Sequence, residues 1–383
     1  MQNKELFNKI DELYPKYLKI WETICNMETP TMDKARIDAL GDYFINFANQ
    51  RGWATEVFKS VTGNVVTLTM NPNSNNEPIS FCAHTDTVHP VGSYGDTPVT
   101  FDDEKIYGPG VCDCKGGIVV ALLAMDALRL LNYTNRPIRL FLNSDEEAGS
   151  RPINKPTINY ICEKAKGSRA LFNLEGATQS RVCIQRKGLI TYTVKITGQE
   201  AHSSACAKSG ASAILEASHK IIEFEKFKDN DGITCTCGVI SGGTTHNTVP
   251  GYCEFRANFR FATQEQLSKI QTFVKEIEKT VYVNGTKTQI EEFGSRPAME
   301  YVERNVNLLN SINEIFENNG LTKLEPYQAL GGSDAAQVTN AGIPCLDNLG
   351  AIGGNIHSPN EYAIKVSLKE YAKRLVVIVT DIK

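Results

Sequence analysis

The chain has 383 residues, 41% hydrophobic and 22% charged, with a net charge of −4 at pH 7. That length exceeds one ordinary domain, so two are expected. The composition is globular, and the slight negative charge gives no electrostatic case for nucleic acid or an anionic membrane as partner.

Residues 4–25 and 33–51 read as helices; in the second, Ile37, Leu40, Phe44 and Phe47 recur at helical spacing and Gly52 stops it. Short strands follow at Thr55–Phe58, Asn64–Thr69 and Ile79–Ala83, with a polar turn at Asn71–Asn76. The third strand exits into His84-Thr-Asp86, and residues two apart in an extended segment share a face. After Gly108-Pro-Gly110 comes Val-Cys-Asp-Cys-Lys-Gly-Gly, leading into an apolar helix of about 116–131. Ile138–Leu142 is nearly continuously apolar, the mark of a strand covered on both faces, and runs into Asn-Ser-Asp-Glu-Glu. A helix near 155–165 leads to the strand Ala170–Leu174, which ends in Glu175. Strands alternating with helices indicate an α/β domain with a largely parallel sheet.

The texture changes after about Arg186. A strand at 188–197, a helix at 209–227, strands near 233–242 and 249–261, a helix at 264–282 and a strand near 286–293 give a βαββαβ order, that of a ferredoxin-like unit. A helix at 303–319, the turn Gly331-Gly332-Ser333-Asp334, the strand Ile343–Leu349 and a helix from about Ser367 return to the first texture. Residues 1–186 and 297–383 are therefore expected to form one discontinuous domain, with 187–296 inserted into it.

The polar start of the chain does not read as a signal peptide, and the longest apolar stretch, near Gly116–Met125, is too short to span a bilayer. Eleven cysteines in such a chain fit reduced thiols in a cytoplasmic protein better than a disulfide framework. The pairs Cys112/Cys114 and Cys235/Cys237 lack the usual structural zinc spacing.

In open parallel sheets ligands bind beyond the carboxyl ends of the strands. His84, Asp113, Glu146/Glu147 and Glu175 all fall at such ends or in the loops beyond, and His357 lies in a glycine-flanked loop. Mixed histidine and carboxylate ligands suit zinc, and this many acids suits two ions. Adjacent glutamates alone are usually a solvated face; the coincidence of all five places is what counts.

These residues resemble the di-zinc exopeptidase and deacylase family that includes glutamate carboxypeptidase, acetylornithine deacetylase and succinyl-diaminopimelate desuccinylase. The resemblance rests on His84-Thr-Asp86, Tyr107-Gly-Pro-Gly-Val-Cys-Asp113-Cys-Lys-Gly-Gly, Asp145-Glu146-Glu147, Glu175, Gly198-Gln-Glu-Ala-His202, Asn247-Thr-Val-Pro-Gly with Arg260, Gly332-Ser-Asp334-Ala, and Gly354-Asn-Ile-His357-Ser. Gly-Pro-Gly and the closing His-Ser-Pro-Asn-Glu-Tyr look most like the glutamate carboxypeptidase branch.

The resemblance implies a zinc-exopeptidase-like, mostly parallel sheet flanked by helices, and a di-zinc site. Asp113 would bridge the ions, His84 and Glu175 would complete one and Glu147 and His357 the other, with Co²⁺ or Mn²⁺ as possible substitutes. Asp86 would orient His84, and Glu146 would be the general base on a metal-bridging water. His202, often supplied by a partner subunit in that family, would hold the oxyanion. Arg260 and Asn247 would bind a substrate carboxylate, and Asp334 would support the site. Cys114 stands where the family often has Met or Asp; adjacent side chains in an extended segment point apart, so Cys112 and Cys114 are expected to pack beside the metals. A cis peptide after Asp113 is implied as well. The inserted domain would dimerise the protein and close over the site. The substrate would be a small peptide cleaved by a carboxypeptidase or an N-acyl amino acid cleaved by a deacylase, and Arg260 serves either. An aminopeptidase would need an amine anchor that the sequence does not offer. A non-catalytic binding protein on the same fold would be expected to have lost Glu146 or a ligand, and all are present.

Overall fold

The computed structural model describes residues 3–149, 155–228 and 232–383. The chain opens with α1 (Asn3–Asn26) and α2 (Lys34–Asn49). On α1, Leu6, Ile10, Tyr17, Ile20 and Ile24 are buried, spaced by threes, fours and sevens along one face. Asp33 caps α2 by accepting the Arg36 N–H. Then come β1 (Ala54–Phe58), β2 (Val65–Met70), β3 (Ile79–His84), α3 (Lys115–Leu130), β4 (Ile138–Asn143), α4 (Pro156–Ala165) and β5 (Ala170–Asn173). A second run contains β6 (Gly188–Thr197), α5 (Ala213–Lys226), β7 (Thr234–Gly242), β8 (Tyr252–Phe261), α6 (Gln264–Lys279) and β9 (Lys287–Arg296). The chain closes with α7 (Glu303–Asn318), α8 (Ala335–Asn340), β10 (Cys345–Leu346) and α9 (Lys365–Asp381).

The first sheet has the order β1-β2-β4-β3-β5-β10. Strands β4, β3, β5 and β10 run parallel to one another, and β2 and β1 extend the edge antiparallel. Alternate side chains divide its core into two. Phe81, Leu140 and Phe172 pack with α1, α3 and α9, whereas Cys82, Phe141 and Leu171 pack with α4 and α8. Helices cover both faces, which is why β3 is buried along its whole length. Among the described residues, no helix is long and apolar enough to cross a membrane.

The second run forms its own antiparallel sheet, β7-β8-β6-β9, with the core side chains of α5 and α6 packed on it. This is the expected ferredoxin-like βαββαβ arrangement. The chain enters the second sheet after Arg186 and has left it by Met299, and those two residues exchange N–H···O bonds of 2.9 and 3.1 Å where the crossings meet.

Two expected strands are shorter than read. Pro250-Gly251 divides 249–261: Thr248–Val249 pairs with Ala201–His202, and only Tyr252–Phe261 joins β6. Proline has no N–H to give a ladder. Within 343–349 only Cys345–Leu346 joins the first sheet; Asp347 bridges to Cys183 instead, and the chain turns at Asn348, whose φ is +65°. Unforeseen are a parallel pair, Arg181–Arg186 with Glu325–Ala329, and a small sheet built from Thr100–Phe101, Lys105–Tyr107, Gly353–Gly354 and Tyr362–Ile364. Most of these strands are two or three residues long, too short to show a period.

Register places the site. His84 pairs with Asn143 across β3 and β4, and Cys82 pairs with Asn173 across β3 and β5. The parallel ladder therefore delivers His84, the Glu146–Glu147 turn and Glu175 to the same sheet end. The start of α3 presses on that end: a Cβ on Gly117 would stand 2.0 Å from the Leu174 carbonyl oxygen, so glycine is required.

Candidate active site

His84 is buried, and its Nδ1 lies 2.9 Å from the Asp86 backbone oxygen and 3.4 Å from Asp86 Oδ1. The nearer orienting partner is thus the backbone of Asp86. Its carboxylate is spent mainly elsewhere: Oδ1 accepts the Glu146 N–H at 3.1 Å, and Oδ2 accepts the Glu147 N–H at 3.0 Å and the Thr31 hydroxyl at 2.8 Å. Asp86 therefore fixes both the His84 strand exit and the turn carrying two glutamates.

Asp113 sits between two histidines. Its Oδ1 is 3.1 Å from His84 Nε2, and its Oδ2 is 3.1 Å from His357 Nε2. Glu175 Oε2 lies 3.8 Å from His84 Nε2 on one side, and Glu147 Oε2 lies 3.4 Å from His357 Nε2 on the other. The Asp113–Cys114 peptide is cis. Cys114 Sγ accepts the His84 N–H at 3.1 Å, and with His84 and Glu175 it forms one of two groups, among the described residues, whose ligand atoms lie within 4.8 Å of one another.

Asp113, Glu147, Glu175 and His357 line a cavity of about 550 Å³ together with Glu146, Arg186, Arg260 and Arg296. Arg260 donates to Asn258 Oδ1 at 3.2 Å. Arg256, on the same strand, lies over the Phe293 ring. Asp334 is buried and accepts from Asn143 Nδ2 at 2.6 Å. His202 and Asn247 are brought beside each other but not among the cavity residues. His202 is exposed, with Nδ1 2.9 Å from Ser204 Oγ, and the Asn247 carbonyl accepts the Ser203 N–H.

Arg296 was missed by the sequence reading. Its guanidinium donates to Glu146 Oε1 and to the Glu146 backbone oxygen. Its only sequence signal is position: an arginine before Pro297, at the chain's return from the second sheet. Arg186 was likewise passed over; it lines the same cavity while bonded to Asp347.

Residues 81–381 match peptidase family M20/M25/M40. The chain belongs to this family. Carboxypeptidase G2 of Pseudomonas sp. (strain RS-16) is 25% identical over 370 residues, covering 94% of this chain and 88% of that protein. Succinyl-diaminopimelate desuccinylase of Rickettsia akari is 24% identical over 351 residues, covering 85% and 90%. A tripeptidase from Staphylococcus aureus shares the fold with a TM-score of 0.78 at 20% identity, over 96% of this chain and 97% of that one. This M20/M25/M40 chain is therefore a hydrolase of the metallopeptidase and amidohydrolase kind.

The donor set fits the metal dependence of the family. Burial pushes Glu175 well above the usual carboxylate range and Glu147 up to about 7, with the Asp113 charge adding to both. Burial would raise Asp113 too, but its hydrogen bonds to His357 and His84 outweigh that and hold it below the usual range. Buried carboxylates crowded in this way favour a cation among them.

Hydrogen bonds to Asp113 and Glu147 push His357 up to about 10. An imidazole must be neutral to ligate, so a metal held by His357 at neutral pH would displace its proton. Affinity should consequently rise with pH, by about tenfold per unit for each proton displaced, and level off above the His357 value. Glu147 adds a second displaced proton below its own value. Competition titrations against a chelator at several pH values check this, and a flat affinity would contradict it.

Proposed function

We propose that this protein is a di-zinc exopeptidase of the glutamate-carboxypeptidase type, cleaving the amide bond next to a free carboxylate. The observation that carries the reading is one cavity lined both by carboxylates and His357 of the cluster and by three arginines, Arg186, Arg260 and Arg296. Similarity to carboxypeptidase G2 over most of both chains supports it. His84, Asp113, Glu147, Glu175 and His357 would hold the ions, and Co²⁺ or Mn²⁺ would substitute for Zn²⁺. Bound ions would supply a Lewis-acid field that lowers the pKa of water and polarises the scissile carbonyl. Glu146 takes the proton of the attacking water and passes it to the leaving nitrogen. Asp86 holds the backbone from which Glu146 and Glu147 project. Arg260 receives the substrate carboxylate, for which a guanidinium fork is matched in shape and charge.

His202 and Asn247 act on the oxyanion and the substrate carboxylate after the inserted domain closes or from a second copy. Their shared exposed position supports a role that needs such movement. The homodimer forms through the inserted domain, residues 187–296. Its edge strand β7 exposes Val239 and Ile240, and an open apolar edge is suited to pairing with a second copy. All 11 cysteines are free, which fits a reducing cytoplasm.

A second reading, an N-acyl-amino-acid deacylase of the acetylornithine deacetylase or succinyl-diaminopimelate desuccinylase type, is favoured by similarity to the desuccinylase. One panel separates the two: N-acyl-glutamate, N-acetylornithine, N-succinyl-diaminopimelate and several dipeptides, each supplied to zinc-loaded protein. The expected best substrate is N-acyl-glutamate. Converting the carboxylate beside its scissile bond to a carboxamide should lower kcat/KM about 10–100-fold, the worth of a hydrogen bond to a charged group. No turnover of any member by protein holding two zincs would overturn the hydrolase assignment. Equal rates on acid and carboxamide would overturn the role of Arg260.

A further inference from the structure

Four residues after His357 the chain buries a carboxylate, Glu361, at 1% exposure. Its Oε1 accepts the N–H groups of Cys112 at 2.8 Å and Asp113 at 3.0 Å. Its Oε2 accepts the Gly110 N–H at 3.2 Å and lies 3.2 Å from His89 Nε2. Four nitrogen partners thus converge on one side chain. The turn they come from is irregular, with Gly108 at φ +153° and Gly110 at +73°, and α3 does not begin until Lys115. Buried N–H groups in such a turn have no ladder to join, and leaving one unpaired costs about 1–3 kcal/mol. Glu361 stands in for the ladder, and the donors offset the cost of burying its charge.

The same segment is pinned at further points. The Tyr94 hydroxyl donates to the Ser358 oxygen at 2.8 Å, and Tyr362 pairs with Tyr107 beyond the turn. The loop that supplies His357 therefore also grips the backbone of Asp113, the residue that touches both histidines.

We propose that Glu361 is a positioning residue of the metal centre: it holds the Asp113 peptide so that one carboxylate oxygen faces His84 and the other faces His357. The proposal rests on the reading that these residues bind metal. A carboxylate needed only for folding would affect stability and leave the centre of a folded variant unchanged. A positioning carboxylate alters both ion sites, because both depend on the direction of Asp113.

The test is titration of the full chain with cobalt(II) alone, followed by calorimetry and by the visible cobalt absorption. Wild type is expected to bind two ions. Glu361→Gln replaces one acceptor oxygen by an NH₂ group, which opposes the backbone donors. Its cobalt affinity should fall about 10–100-fold, the usual range for residues that orient metal ligands, with an altered absorption band and an unchanged circular dichroism spectrum. Glu361→Asp keeps the buried charge but shortens its reach to Cys112 and Asp113. It should also weaken cobalt binding, and it decides the matter where Glu361→Gln does not fold. Folded variants that bind two cobalt ions with wild-type affinity and absorption would overturn the positioning role alone. A wild-type chain that binds no cobalt would overturn the metal reading and this role with it.

Discussion

Glu146→Gln should lower kcat about 10²–10⁴-fold, the range ascribed to a positioned general base. KM and metal content should stay close to wild type. Glutamine keeps a side-chain oxygen where Arg296 donates to Oε1, and the second Arg296 bond, to the backbone oxygen of residue 146, does not involve the side chain. Asp86 still receives the N–H of residue 146. The turn therefore keeps its shape and only the proton acceptor is lost. The measurement is steady-state kinetics on the best panel substrate, with metal analysis of the same preparations. A kcat within about tenfold of wild type would remove Glu146 from the chemistry. A large loss accompanied by lost metal would mean that the residue supports the centre instead.

The same contacts explain what the sequence could and could not reveal. His84, Asp113, Glu147, Glu175 and His357 were legible because each follows an apolar strand or sits among glycines, and parallel strands bring their ends together. The pairings of His84 with Asn143 and of Cys82 with Asn173 turn that general rule into this cluster. Glu146 was legible because it adjoins a candidate ligand. The strand at 188–197 was read with the bounds it has in the structure, since its alternation is long and one face is buried.

Arg296 and Glu361 were not legible as site residues for a different reason. Each acts through a partner distant in sequence: Arg296 reaches Glu146 across 150 residues, and Glu361 reaches Asp113 across 248. Periodicity carries no information about such contacts. Glu361 was within reach of a motif reading, as the acid of His-Ser-Pro-Asn-Glu-Tyr, but nothing in the motif says that it points at backbone N–H groups. The expected link from the Asp86 carboxylate to His84 is the converse case. Spacing placed Asp86 correctly, yet the N–H groups of Glu146 and Glu147 occupy its oxygens, and its backbone oxygen is the nearer partner of the imidazole.

Asp347→Ala should destabilise the fold by about 3–5 kcal/mol, the cost of stranding a buried charge. Asp347 is fully buried, and its Oδ2 accepts from Arg186 Nε and from Ser333 Oγ, both at 2.6 Å. Its Oδ1 accepts from Asn173 Nδ2 at 2.9 Å and from the Asn348 N–H at 2.7 Å. One carboxylate thus joins the end of β5, the turn before α8 and the arginine at which the chain leaves for the second sheet. Arg186 keeps bonds to the Gly331 oxygen and Asn348 Oδ1, but neither neutral partner replaces the lost charge. In the double variant Arg186→Met/Asp347→Ala nothing charged is left stranded, so part of the loss should return. Urea unfolding of the wild type, the single variant and the double variant measures this directly. Equal losses in the single and double variants would mean that the cost lies in the other bonds to Asp347. Recovery in the double variant would assign it to the ion pair, and hence to the point at which the two sheets are joined.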